Sequence, residues 1–480
     1  MTSPTEDIES LLADALTFAN TGLIRSGTLP SSEDSRRILS IVDTLSNAKV
    51  NDRKSGVNSA QAGRLQDVVA LCRATLAPVR RIPREATFNV TGVCYAWREV
   101  ALDIPRFWTN ICLTQSSRTQ ALAARLQRSA GQLLKVTIFS GERPGSDEKI
   151  VPNHDALRLA FSESQRWSRL SLQDFHKSMA GLAPHWPHEF PELKGLLVDC
   201  GHEVPECLRR LESAPHLWSF QLKLKSTPEP IVLPTAWRLM NLDLSSFADD
   251  GCNLAQLLRP IAACAPYLMR LVIEVYKLGE VEDQFSPIQF PQLSSLALTN
   301  AACHLCRWTV APHLTQLQLH GGTPGAGENP SYLESALLLL SRSYYAAGKS
   351  DLQVFEVEDM RPVVEEAMVL CLQWMPCLLS LIVVEDHRVE QASKIITTPF
   401  LLAMMRSPYL ADPKNLLLPM LVTLELKTGG VGAQGEIAAL MRAVFMSRKQ
   451  YVDESRKLLE LQLFDTDVDW LPEYVEDRHA

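Results

Sequence analysis

Apolar residues return along this chain in a recurring phrase, Pro-x-Leu-x-x-Leu-x-Leu, whose spaced positions stay apolar while the residues between them vary. It reads Pro191-Leu193-Leu196-Val198, Pro215-Leu217-Phe220-Leu222, Pro266-Leu268-Leu271-Ile273, Pro291-Leu293-Leu296-Leu298, Pro312-Leu314-Leu317-Leu319, Pro376-Leu378-Leu381-Val383 and Pro419-Leu421-Leu424-Leu426. Versions without the proline occur at Trp167-Leu170-Leu172, Leu239-Leu242-Leu244, Leu352-Phe355-Val357 and Leu458-Leu461-Leu463. Recurrence at roughly two dozen residues, widening to about forty in the C-terminal half, is the mark of a stacked repeat architecture.

Each phrase fits a short strand. Proline holds the residue before it in extended backbone, and Phe220-Gln221-Leu222-Lys223-Leu224 and Leu317-Gln318-Leu319 alternate with period two. The leucine spacing also fits one turn of helix, so an all-helical array is the competing architecture. Between phrases, Val364, Met368, Cys371, Leu372 and Met375 make one helical stripe begun by Pro362. Ile437, Leu440, Met441, Val444 and Phe445 make another. Strands reached through helical crossovers pair in parallel, and their inward side chains stack into one core, each contributing about 1.5–3 kcal/mol. The expected fold class is α/β: a helical N-terminal region, then an irregular leucine-rich-repeat-like solenoid with a parallel sheet over residues 130–470.

Ahead of the repeats, Ile8, Leu11, Leu12 and Leu16 predict one helix, Ile38, Leu39, Ile41, Val42 and Leu45 a second, and Leu65, Val68, Val69, Cys72 and Leu76 a third. A polar linker over 46–62 separates the last two, so residues 1–77 form an N-terminal region of helices and linker. Residues 78–115 are compact and aromatic. Val93, Trp97, Val100 and Ala101 share one helical face there, and Pro105 ends that helix.

Residues between the apolar positions of each strand face away from the core, in rows from unit to unit. The expected target-binding face therefore holds Arg169, Gln221, Lys223, Arg270, Gln316, Gln318, His320, Glu356 and Glu425, with Ser171, Ser219, Glu358, Thr423 and Lys427 beside them.

Composition narrows the function. A formal charge of -8, with no long Lys/Arg run, argues against a nucleic-acid partner. The longest apolar stretches are too short or too interrupted to span a bilayer, so no membrane anchor is expected. An odd count of 11 cysteines without framework spacing points to a reducing compartment, cytoplasmic or nuclear. Cys303-His304-Leu305-Cys306 lacks a second pair for zinc, and His185, His188, Cys200 and His202 make no four-ligand pattern. Gly430-Val431-Gly432-Ala433-Gln434-Gly435 matches a dinucleotide loop in letters, yet too little chain follows it for such a domain. The glycines of 321–327 lack the Lys-Ser/Thr of a phosphate loop, and no G-x-S-x-G, H-E-x-x-H or kinase set occurs. The expectation is a non-enzymatic chain with no cofactor and no metal.

Ile82-Pro83-Arg84-Glu85, then Val93-Cys94-x-x-Trp97-Arg98-x-x-Ala101, then Pro105-Arg106-Phe107-Trp108 ahead of irregular leucine-rich units resemble the F-box-like leucine-rich-repeat proteins of mushroom-forming fungi. The resemblance implies that residues 78–115 are an F-box-like remnant docking on a Skp-type adaptor of a cullin-based ubiquitin ligase. Ile82, Pro83, Val93, Trp97 and Trp108 would be its adaptor-binding residues, and the repeats would present an unknown protein target. One departure stands out: Glu85 runs straight to Val93 without the leucine-rich helix and loop that the family carries. A repeat scaffold or inhibitor outside any ligase is the alternative.

Overall fold

The computed structural model describes residues 102–139, 141–142, 149–150, 152–175, 186–187, 189–200, 211–224, 233–234, 237–246, 254–276, 285–321, 332–360, 366–385, 395–405, 417–427, 436–450 and 460–463. The predicted N-terminal helices, the adaptor candidates Ile82, Pro83, Val93 and Trp97, the 430–435 glycine loop and His185, His188 and His202 lie outside these residues, as do Pro362, Val364 and positions 322–327.

The chain divides into two units, one of residues 1–136 with 153–160, the other of 137–152 with 161–480. In the first, a 3-10 turn at Pro105–Trp108 leads into β1 (Asn110–Leu113), α1 (Thr119–Arg128) and the start of β2 (Leu134–Phe139). Leu122 and Leu126, one turn apart, are the buried side of α1. The helix stops where Ala130 and Gly131 take φ of 46° and 75°, conformations a right-handed helix cannot continue through. Trp108 is buried, with the Arg128 guanidinium 4.7 Å from its ring centre. Most of α2 (His154–Phe161) also belongs here, and the Asn153 side chain caps it, accepting from the Asp155 and Ala156 amides at 2.9 and 3.2 Å.

The second unit opens with a small antiparallel pair, β3 (Gly141–Glu142) and β4 (Lys149–Ile150). Its main sheet comprises β5 (Trp167–Phe175), β6 (Gly195–Cys200), β7 (Ser219–Leu224), β8 (Asn241–Ser246), β9 (Arg270–Val275), β11 (Ser295–Asn300), β13 (Gln316–His320), β14 (Val354–Glu358), β15 (Ser380–Val384), β16 (Thr423–Lys427) and β17 (Glu460–Leu463). Neighbours pair in chain order and all in parallel. Two short strands, β10 (Ile288–Gln289) and β12 (Thr309–Val310), pair separately. The crossovers include α3 (Leu254–Cys264), α4 (Tyr332–Ala347), α5 (Ala367–Gln373), α6 (Thr398–Met404) and α7 (Glu436–Gln450). The β11-to-β13 connection instead uses a 3-10 helix, Ala301–Trp308.

The result is an α/β fold with a sequential parallel sheet flanked by helices, solenoid-like within this unit. The strand reading of the leucine phrase holds over the helical one. Phe220, Leu242, Leu271, Leu296, Leu317, Phe355, Leu381 and Leu424 are all inward and stand side by side in register. Backbone pairing also extends one residue ahead of the strands. The amides of Trp218, Met240, Met269, Ser294, Thr315, Gln353, Leu379 and Val422 each donate to the equivalent residue of the preceding strand, from Lys194 onward, at 2.8–3.2 Å. Among the described residues, no helix is long and apolar enough to cross a membrane.

Candidate protein-interaction face

Because parallel partners are in register, outward residues of successive strands form rows across the open face of the sheet. The first row reads Arg169, Gly195, Ser219, Asn241, Arg270, Ser295, Gln316, Val354, Ser380 and Thr423. The second reads Ser171, Leu197, Gln221, Asp243, Val272, Ala297, Gln318, Glu356, Ile382 and Glu425. Lys223, Glu274, His320, Glu358 and Lys427 belong to the third. All nine expected target-binding residues thus lie on one face, half-buried or exposed.

Towards its C-terminal end the face is rich in carboxylates and held by side-chain bonds between strands. Gln318 Nε2 donates to Glu356 Oε2 at 2.6 Å, and His320 Nδ1 lies 2.6 Å from Glu358 Oε2. Lys427 Nζ pairs with Glu425 Oε1 on its own strand at 2.5 Å. Strands β7 to β9 instead interleave Lys223 and Arg270 with Asp243. Removal from water pushes the Asp243 carboxyl above the ordinary carboxylate range, and Lys223, Arg270 and a hydrogen bond from Ser245 offset part of that rise.

Asp243 was not among the residues expected from sequence. Neither were the outward apolar residues Leu197, Val272, Ala297, Ile382 and Val384, which give the face half-buried apolar ground between its charges. Aligning the phrases would have found them, since Asp243 sits between Leu242 and Leu244 as Gln221 sits between Phe220 and Leu222.

Metal-binding capacity divides between two places. His320, Glu356 and Glu358 offer ligand atoms within 4.8 Å of one another, the one such group among the described residues. Cys303 and Cys306 are donors of the opposite kind. Both are buried in the 3-10 helix, Cys303 Sγ lies 3.4 Å from the Leu298 carbonyl, and burial pushes both thiols up. Zinc needs thiolates, which this environment opposes.

The adaptor candidate Trp108 is buried within its own unit. No known family model and no curated protein sequence matches the chain.

Proposed function

We propose that this chain is a non-catalytic, intracellular protein-interaction module that holds a protein target on the open face of its parallel sheet and serves as a substrate receptor for a Skp–cullin-type ubiquitin ligase. One observation supports the target-binding half above all: polar, charged and half-buried apolar side chains from successive repeats lie in register on a single face. Such a surface can be read by a partner one repeat at a time. The reduced thiols of Cys200, Cys264, Cys303, Cys306, Cys371 and Cys377 favour an intracellular setting. The ligase half rests on the resemblance carried by residues 82–108. The direct run from Glu85 to Val93 favours a second reading, a scaffold that sequesters its partner without a ligase.

Co-precipitation with a purified Skp-type adaptor tests the first reading. Association above background is expected, and its absence from a folded protein removes the ligase. The face itself is tested by Gln318→Lys with Glu356→Lys. These changes should release the proteins that the parent chain enriches while the chain still unfolds in one cooperative transition. Depleting the chain separates the two readings, since a receptor's target then lives longer and a scaffold's partner does not.

A further inference from the structure

The row just ahead of the strands changes character over three consecutive repeats. It holds Trp218, Met240 and Met269 before β7, β8 and β9, whereas the next three strands carry Ser294, Thr315 and Gln353. The apolar side chains are 37, 40 and 39 % exposed, and Tyr267, two residues before Met269, is 41 % exposed. Hydrogen bonds of 2.8 Å from Met240 N to Trp218 O and from Met269 N to Met240 O fix them as neighbours, about 4.8 Å apart along the stripe. Singly exposed apolar residues are ordinary, but a contiguous stripe of Trp, Met and Tyr is the composition of an interface core.

Its surroundings are cationic in a chain of formal charge -8. Arg238 lies 5.7 Å from the Tyr267 ring centre, and Lys194, exposed in the same row, accepts the Trp218 amide on its carbonyl. Arg270, which follows Met269, belongs to the open face with Asp243.

We propose that this stripe is a second docking surface, distinct from the open face, for a segment of a partner protein in which carboxylates flank apolar side chains. Charge complementarity decides the occupant. Trp218, Met240 and Met269 receive the apolar side chains, while Lys194 and Arg238 pair the carboxylates at the rim, where they set orientation and association rate.

Fluorescence anisotropy of the full-length chain with a labelled peptide of alternating glutamate and leucine tests this. The peptide should bind, bind more weakly as salt rises, and lose about tenfold or more in affinity when Trp218→Ser is combined with Arg238→Glu. Met269→Ser alone should weaken it in the same direction, and a lysine-leucine peptide should not bind. Glu356→Lys, on the open face, should leave peptide binding unchanged, which separates failure here from failure of the target face. No binding of the acidic peptide, or equal binding by the Trp218/Arg238 variant, overturns the proposal. So does Trp218-dependent capture of phosphatidylserine vesicles without peptide binding, which would make the stripe a lipid contact.

Discussion

The amide of Gly321 donates to the carbonyl oxygen of Glu358 at 2.7 Å, extending the β13–β14 ladder one residue past the His320–Glu358 pair. The two backbones approach so closely there that a Cβ atom on residue 321 would collide with the Asp359 carbonyl, and Asp359 itself has φ of 51°. Gly321→Ala must therefore push apart the strands that carry Gln318, His320, Glu356 and Glu358. We expect a loss of about 1–3 kcal/mol by chemical denaturation, together with weakened target binding. An unchanged unfolding midpoint would show that the ladder yields without strain.

A buried arginine closes the C-terminal repeats. Arg448, on α7, is 2 % exposed; its guanidinium donates to the carbonyls of Met404 at 2.9 Å, Leu417 at 2.9 Å and Leu418 at 3.2 Å. Met404 ends α6 and Leu418 has φ of 54°, so one side chain satisfies a helix terminus and an irregular turn together. Arg448→Met fills similar space but takes these donors away from the Met404 and Leu417 carbonyls, while the Leu418 carbonyl keeps the Leu421 amide at 3.4 Å. A destabilisation of about 3 kcal/mol or more is expected, because buried acceptors without donors each forfeit their solvation. A midpoint within error of the parent's would mean that water replaces the guanidinium there.

The repeat phrase made the strands and their inward residues legible, since Phe220, Leu222 and Leu224 alternate inward with period two, as extended backbone requires. The outward rows follow from the same alternation, which is why Gln221, Gln318 and Glu356 share one face. What period two does not encode is chemistry that depends on neighbours. Asp243 matters through Lys223 and Arg270, on different strands. The apolar stripe of Trp218, Met240 and Met269 exists only because three repeats align positions lying outside the leucine pattern. Arg448 was equally hidden, as its acceptors are 30 and more residues away in sequence. The β11-to-β13 connection read as a cysteine motif, and its 3-10 form follows from packing Cys303, Leu305 and Cys306 inward within a short span.

Asp243 makes stability depend on pH in a defined direction. Its carboxyl keeps a proton to higher pH in the folded chain than in the unfolded one, because burial opposes its charge more than Lys223, Arg270 and Ser245 favour it. In that window the folded state binds more protons, so its contribution to stability falls as pH rises from the unfolded titration, near pH 4, through the folded one. Asp243→Asn should be more stable than the parent at neutral pH, and the advantage should vanish below about pH 4. An Asn variant that is less stable at pH 7 would show that the two cations outweigh desolvation.

Thiol reactivity reads the repeat core directly. Burial, with Asp199 adding to it, pushes the Cys200 thiol up to about 12, so roughly one thiol in ten thousand is ionised at pH 8. Cys264 is pushed up to about 11, and burial also raises Cys303, Cys306 and Cys371. Cys377 is exposed in the turn before β15. Iodoacetamide on the native chain, followed by peptide mass spectrometry, should therefore modify Cys377 well before the five buried thiols, which should react only on unfolding. A chelator should leave that order unchanged, because protonated thiols hold no zinc to release. Labelling of Cys303 or Cys306 at the rate of Cys377 would mean that the 3-10 helix opens in the native state, and a chelator-dependent rate at these two would reveal a metal that burial was inferred to oppose.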